Sequence, residues 1–168
     1  MKFPGRRHTK HYFPVEERTR VSFSDEVGNP GNIYAVGIDQ LLVDIEIPVS
    51  DEFLKQHNFV KGESFIIDDN LATEIYKYHK ERNLISGEFP GGTVGNTLHN
   101  FSVLSESPSV TLGTINKYIE VNDYAYKYLC LTSSKVNLSY LQPCDRPMGR
   151  ALCLVAPDGE RTFAISKG

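Results

Sequence analysis

Gly91-Gly92-Thr93-Val94-Gly95-Asn96 sets two glycines directly in front of an apolar stripe of helical spacing, Val94, Leu98, Phe101 and Leu104. The spacing predicts a helix that opens straight out of a glycine pair. Such an opening offers backbone that approaches a ligand with no Cβ in the way, free amides at the helix N-terminus, and an amide side chain one turn in at Asn96. Those groups suit a polyhydroxyl ligand. The stretch lacks the Lys-Ser/Thr ending of a P-loop and the Gly-x-Gly-x-x-Gly spacing of a dinucleotide-binding turn. Read alone, the glycines also fit a helix cap beside a packing glycine.

Upstream, Ile33 to Val36 is a short apolar run, and from Leu41 the pattern alternates. Val43, Ile45 and Ile47 fall on one face, Leu42, Asp44 and Glu46 on the other, which predicts a strand that buries one side. Asp44 then points away from the apolar stripe, where a carboxylate can face a cleft without entering a core. Ser50 followed by Asp51 and Glu52 predicts a helix start, with a hydroxyl cap and acids at the positive end of the dipole, running to about Gln56. Asp69 or Asn70 is expected to cap a second helix with Leu71, Ile75 and Tyr78 on one face, up to about Asn83. Loops near Gly62 and Gly87 separate these pieces.

Downstream, Val110-Thr111-Leu112 ends at Gly113 and predicts a buried strand, and Asn122 to about Leu131 a helix, in spite of the alternating Tyr124, Tyr126 and Tyr128. Arg150–Val155 and Arg161–Ile165 are β-rich and joined by Pro157-Asp158-Gly159, which predicts a hairpin. Residues 1–32, rich in charge, Pro and Gly, read as an irregular leader.

The chain has 168 residues, the size of one domain and short for a two-domain enzyme. Eighteen basic against 21 acidic residues leave a net charge of −3 and a pI near 5.9, so there is no basic excess to neutralise a nucleic-acid backbone. No window approaches the roughly 20 apolar residues of a membrane span and no signal-peptide core precedes the domain, so a cytoplasmic protein with no membrane partner is expected. Cys130, Cys144 and Cys153 lack the spacing of a metal or redox site and are expected to be reduced thiols. The histidines are scattered; His8 and His11 make at best a poor metal pair. Asn100-Phe-Ser102 and Asn137-Leu-Ser139 are sequons, which matter only in a secreted chain.

Two motifs in order carry a family resemblance. Gly91-Gly92, three residues and Asn96 match the N-terminal signature of the ribokinase-like (PfkB) carbohydrate kinases, and Gly159-Glu160-Arg161-Thr162 matches the turn after their lid strand. Asp44 through Asp51-Glu52-Phe53-Leu54, with a second helix before the glycine pair, resembles the adenosine-kinase-like branch. The resemblance covers nearly all of the chain. It departs from the pattern at Met148-Gly149, where the family usually has Thr-Gly, and at Thr97-Leu98, where sugar kinases prefer small residues.

The resemblance implies the N-terminal part of a three-layer α/β/α fold with a small β-rich lid, built from strands at about 42–49 and 149–165 within a kinase region spanning 33–168. It implies transfer of the ATP γ-phosphate to the ribose 5′-hydroxyl of a purine nucleoside such as inosine or guanosine, with ATP and Mg2+ as cofactors. In the implied site Asp44 grips the ribose hydroxyls, Gly91 and Gly92 form the switch at the lid hinge, and Asn96 completes the ribose contacts. Arg161 would lie near the transferred phosphate, although a hairpin arginine also simply faces solvent. The second family signature, a glycine-rich helix start ending in the catalytic aspartate, does not occur before Gly168. The ATP-binding half is therefore expected outside this chain, which is expected not to catalyse by itself. Self-association through the lid or an uncovered sheet is a further expectation. The alternatives are a non-catalytic module that binds a nucleoside or a protein partner, and a sugar kinase of the same family.

Overall fold

A computed structural model describes residues 34–38, 41–121 and 123–168. The expected leader, His8, His11, Ile33 and Asn122 lie outside the described residues. The elements are β1 (Ala35–Ile38), β2 (Leu42–Pro48), α1 (Asp51–Gln56), β3 (Ser64–Ile66), α2 (Asp69–Glu81), β4 (Gly87–Gly91), α3 (Thr93–Leu104), β5 (Ser109–Asn116), α4 (Tyr124–Leu131), β6 (Val136–Asn137), β7 (Leu141–Cys144), β8 (Gly149–Val155) and β9 (Arg161–Ser166). Strands and helices form a mixed α/β architecture with two sheets. One runs β1-β5-β6, with β7 also on β5, all parallel; the other runs β3-β9-β8-β2-β4. Among the described residues no helix is long and apolar enough to cross a membrane.

The alternation along β2 organises the five-stranded sheet. Val43, Ile45 and Ile47 are fully buried, and with Leu152, Leu154 and Ala164 they form the covered face, on which helices α2 and α4 pack. Leu42, Asp44 and Glu46 line the opposite, partly open face. β2 pairs in parallel with β8, and β8 pairs antiparallel with β9 through the turn at Pro157-Asp158-Gly159. The Gly159 amide donates to the Ala156 carbonyl at 2.9 Å, and its φ of +87° is a left-handed conformation that glycine adopts without strain. Strands far apart in the chain, 42–48 and 149–166, thus share one sheet.

Several sequence expectations are corrected. The cap of α2 is Asp68, whose carboxylate accepts from the Asn70 and Leu71 amides, both at 2.9 Å, and not Asp69 or Asn70. The buried face of α2 is Ala72, Ile75, Tyr76 and His79, while Tyr78 is exposed. Polar tips make the difference: the His79 ring bonds the Ile75 carbonyl and the Tyr76 hydroxyl bonds Glu88, so both can be buried. In α3 the buried residues are Leu98 and Ser102, and Leu104 is 84% exposed. The Ser102 hydroxyl bonds that of Ser109 at 2.7 Å, so a small polar residue occupies the close contact with β5. β5 continues past Gly113 to Asn116 because that segment pairs with β7. β1 begins at Ala35 and runs beyond Val36 to Ile38. Strand β4 occupies residues expected to be loop.

Truncating the fully buried Leu152 to alanine is expected to cost about 2–5 kcal/mol, and truncating exposed Leu104 less than about 0.5 kcal/mol. Asp68→Ala should cost about 1 kcal/mol and Asn70→Ala clearly less. Urea unfolding of the variants measures all four, and equal effects at positions 68 and 70 would reject the cap assignment.

Candidate functional site

β2 and β4 are antiparallel, with Leu42 opposite Gly91 and Asp44 opposite Phe89. Asp44 and Gly91 are therefore diagonal neighbours on the open face. The carboxylate leans onto the bare α-carbon: a methyl group added to Gly91 would stand 2.4 Å from Asp44 Oδ2 and 2.6 Å from Oδ1. Any side chain there displaces the acid, which is the physical reason for glycine. Half-burial raises the Asp44 pKa above its ordinary value. A carboxylate half out of water with acceptor positions to fill is chemically suited to two hydroxyl donors at once.

Gly92 follows with φ 82° and ψ 144°, a backbone conformation side-chain-bearing residues rarely adopt, and is the N-cap of α3. With no side chain, it caps the helix through its backbone alone. The Asn96 amide closes the first turn by donating to the Gly92 carbonyl at 2.9 Å, and its exposed side chain stands on that turn. Thr97 turns its hydroxyl back to the Thr93 carbonyl at 2.7 Å.

The structure thus brings Asp44 and Gly91 into contact and places Gly92 and Asn96 next along the chain. It does not bring Arg161 to them. Arg161 opens β9 on the same face, two strands from β2, exposed, with its guanidinium 3.9 Å from Glu46 Oε2. Between the two strands lies the buried Cys153 thiol, whose pKa is raised chiefly by burial.

Phe89 and Glu46 were not singled out from the sequence. Phe89, directly opposite Asp44, is 53% exposed and its ring folds over Gly87, where an added Cβ would lie 2.4 Å from the ring. Gly87, Pro90 and Gly91 hide the alternation that would have marked β4 as a strand. Among the described residues no group of three or more His, Cys, Asp or Glu side chains is placed to hold a metal ion.

The mixed α/β body with its two sheets has the fold of the adenosine kinases, a ribokinase-like fold. The adenosine kinase of Anopheles gambiae, solved with P1,P4-di(adenosine-5) tetraphosphate, superposes with a TM-score of 0.66 at 20% identity, over 79% of this chain and 38% of that one. The Schistosoma mansoni enzyme with 2-fluoroadenosine gives 0.61 at 19% identity, over 80% of this chain and 38% of that one. That of Sinorhizobium meliloti gives 0.58 at 22%, over 82% and 39%. In sequence, the chain is 49% identical over its whole length to the guanosine-inosine kinase of Escherichia coli K12, and equally to that of strain O157:H7. It spans 39% of the length of these relatives. No family model matches the chain. The ribokinase-like fold that the resemblance implies is the one found, and the sequence relatives are nucleoside kinases by name.

Burial raises the Asp44 pKa in the folded state above its unfolded value, so the acid opposes folding at pH values above the folded pKa. That cost disappears below the unfolded carboxylate value of about 3.9. Asp44→Asn is therefore expected to raise the urea midpoint at neutral pH, with the gain fading in acid. A lowered midpoint at neutral pH contradicts this account of the site.

Proposed function

We propose that this chain forms the ribose-binding part of a purine nucleoside kinase, which transfers the γ-phosphate of ATP to the ribose 5′-hydroxyl of inosine or guanosine in the cytoplasm. The observation that carries the reading is the 49% identity, over the whole chain, to proteins named guanosine-inosine kinase. The carboxylate laid against a diglycine turn supports it independently. Since the chain covers 39% of those relatives, the complete reaction is assigned to a protein of their length.

In this reading Asp44 accepts hydrogen bonds from the vicinal ribose hydroxyls, a charge-assisted pair that fixes the ring. The Gly91 and Gly92 backbone lies close to the sugar because no Cβ intervenes, and the Asn96 amide completes the contacts. The five-stranded sheet acts as a lid over the nucleoside, with Gly91-Gly92 as its hinge. Arg161, on the same face, exchanges Glu46 for the incoming phosphate. Its present pair is exposed and therefore weak. The described residues do not fit a protein cage for Mg2+. An ion bound to the ATP phosphates would supply charge neutralisation there.

In a protein of the relatives' full length, Asp44→Asn is expected to raise the nucleoside KM roughly a hundredfold, through loss of the charge and of one of the two acceptor oxygens, with the ATP KM little changed. A polypeptide of these 168 residues alone should yield no phosphorylated nucleoside. Steady-state assays with inosine, guanosine, adenosine and ribose measure both. An Asp44→Asn enzyme with unaltered nucleoside KM, or product formed by the isolated chain, would reject the reading.

A further inference from the structure

The diglycine turn is reached through β4, and β4 is a poor strand by its own chemistry. Its sequence is Gly87-Glu88-Phe89-Pro90-Gly91, in which two glycines resist ordering and Pro90 has no amide to donate. Among the described residues it lies at the edge of its sheet and pairs with β2 alone. Yet its last residue must hold register closely enough to keep a bare α-carbon against the Asp44 carboxylate. Some contact outside the ladder has to fix the strand.

That contact lies on the covered face. Glu88, three residues before Gly91, turns its largely buried carboxylate inward, where the Tyr76 hydroxyl of α2 donates to Oε1 at 2.6 Å. Lys80, one turn further along α2, donates to the same hydroxyl, and its ammonium stands 3.9 Å from Glu88 Oε1. The Tyr76 ring is 6% exposed and meets the Tyr124 ring of α4 edge-on at 5.4 Å. Burial first, and then the hydrogen bond to Glu88 and its charge, hold the Tyr76 pKa far above its usual value, so the hydroxyl keeps the proton it donates. A short bond to a charged acceptor away from water is among the stronger single contacts a side chain makes.

We infer that Tyr76 and Glu88 are a positioning pair for nucleoside binding: their hydrogen bond anchors β4 to α2 and thereby holds Gly91-Gly92 at the distance from Asp44 that the ribose requires. Neither residue touches the nucleoside. The inference rests on the proposed ribose role of Asp44.

The test is steady-state kinetics with inosine on the full-length enzyme carrying Tyr76→Phe, Glu88→Ala, the Tyr76→Phe/Glu88→Ala double substitution, Glu88→Gln, or Tyr78→Phe on the exposed side of α2 as control. Tyr76→Phe and Glu88→Ala should each raise the inosine KM about tenfold, with kcat and the ATP KM within about twofold, and the double variant should be no worse than either single one. Glu88→Gln, which keeps an acceptor for the hydroxyl, should restore most of the affinity, and Tyr78→Phe should change nothing. An unchanged inosine KM in folded Tyr76→Phe, additive effects in the double variant, or equal losses in KM and kcat overturns the inference. If Tyr76→Phe does not fold, the contrast between Glu88→Ala and Glu88→Gln decides, and equal KM values in those two variants overturn it as well. Asp44→Asn in the same assay separates the two failures. A silent Asp44→Asn sinks the ribose reading and this inference together, whereas a damaging Asp44→Asn beside a silent Tyr76→Phe sinks the anchor alone.

Discussion

The contact of the Asp44 carboxylate with the bare α-carbon of Gly91 depends on a register that the opposite face of the same sheet enforces. Side chains alternate along β2, so a slip of one residue would carry Asp44 into the core and Val43, Ile45 and Ile47 out of it. Burial of those three against Leu152, Leu154 and Ala164 makes that slip costly. The hydrophobic effect therefore orients the acid, although the acid contributes nothing to it. Once β2 is set, its antiparallel ladder with β4 brings Gly91 beneath the carboxylate, and Gly92 can open α3 in a conformation few other residues tolerate.

Polar groups on the covered face carry a second constraint. Arg150 is 2% exposed and donates to the Asp69 carbonyl at 3.0 Å and the Thr73 hydroxyl at 2.5 Å. Its guanidinium lies 5.4 Å from the centre of the Tyr124 ring. Ser166 donates to the Asp69 carboxylate, and Tyr76 to Glu88. Burying such groups is costly unless they are bonded, and here the bonds run between elements. They join α2 to β8, β9 and β4. An apolar interface could slide to a neighbouring packing, whereas directional bonds of this kind resist displacement.

The sequence was most legible where a period was strong. The alternation at 41–47, the Ser50 helix start and the hairpin around Pro157-Asp158-Gly159 read directly. Reading failed where polar residues are buried or glycine and proline break the pattern. On α2 the spacing puts Tyr78 inside with Ile75, whereas Tyr76 and His79 enter the core with their polar atoms bonded, and on α3 it puts Leu104 inside where Ser102 packs. β4 was missed through its glycines and proline, and β6 and β7 because two to four residues show no period. Of the candidate site, Asp44, Gly91, Gly92 and Asn96 were chosen from chemistry and motif order. Arg161 was chosen on the same grounds and is found on the same face, paired with Glu46 and apart from the others.

Local pattern and residue type determined which strands bury a face, where most helices begin and that Asp44 lies on the open face of its strand, because those properties belong to a few consecutive residues. Tertiary structure alone decided that residues 42–48 and 149–166 share a sheet, that the acid rests against the glycine pair, and that Tyr76 reaches Glu88. These are distances between segments far apart along the chain. They are set by the packing of a common core, which no single stretch of sequence contains.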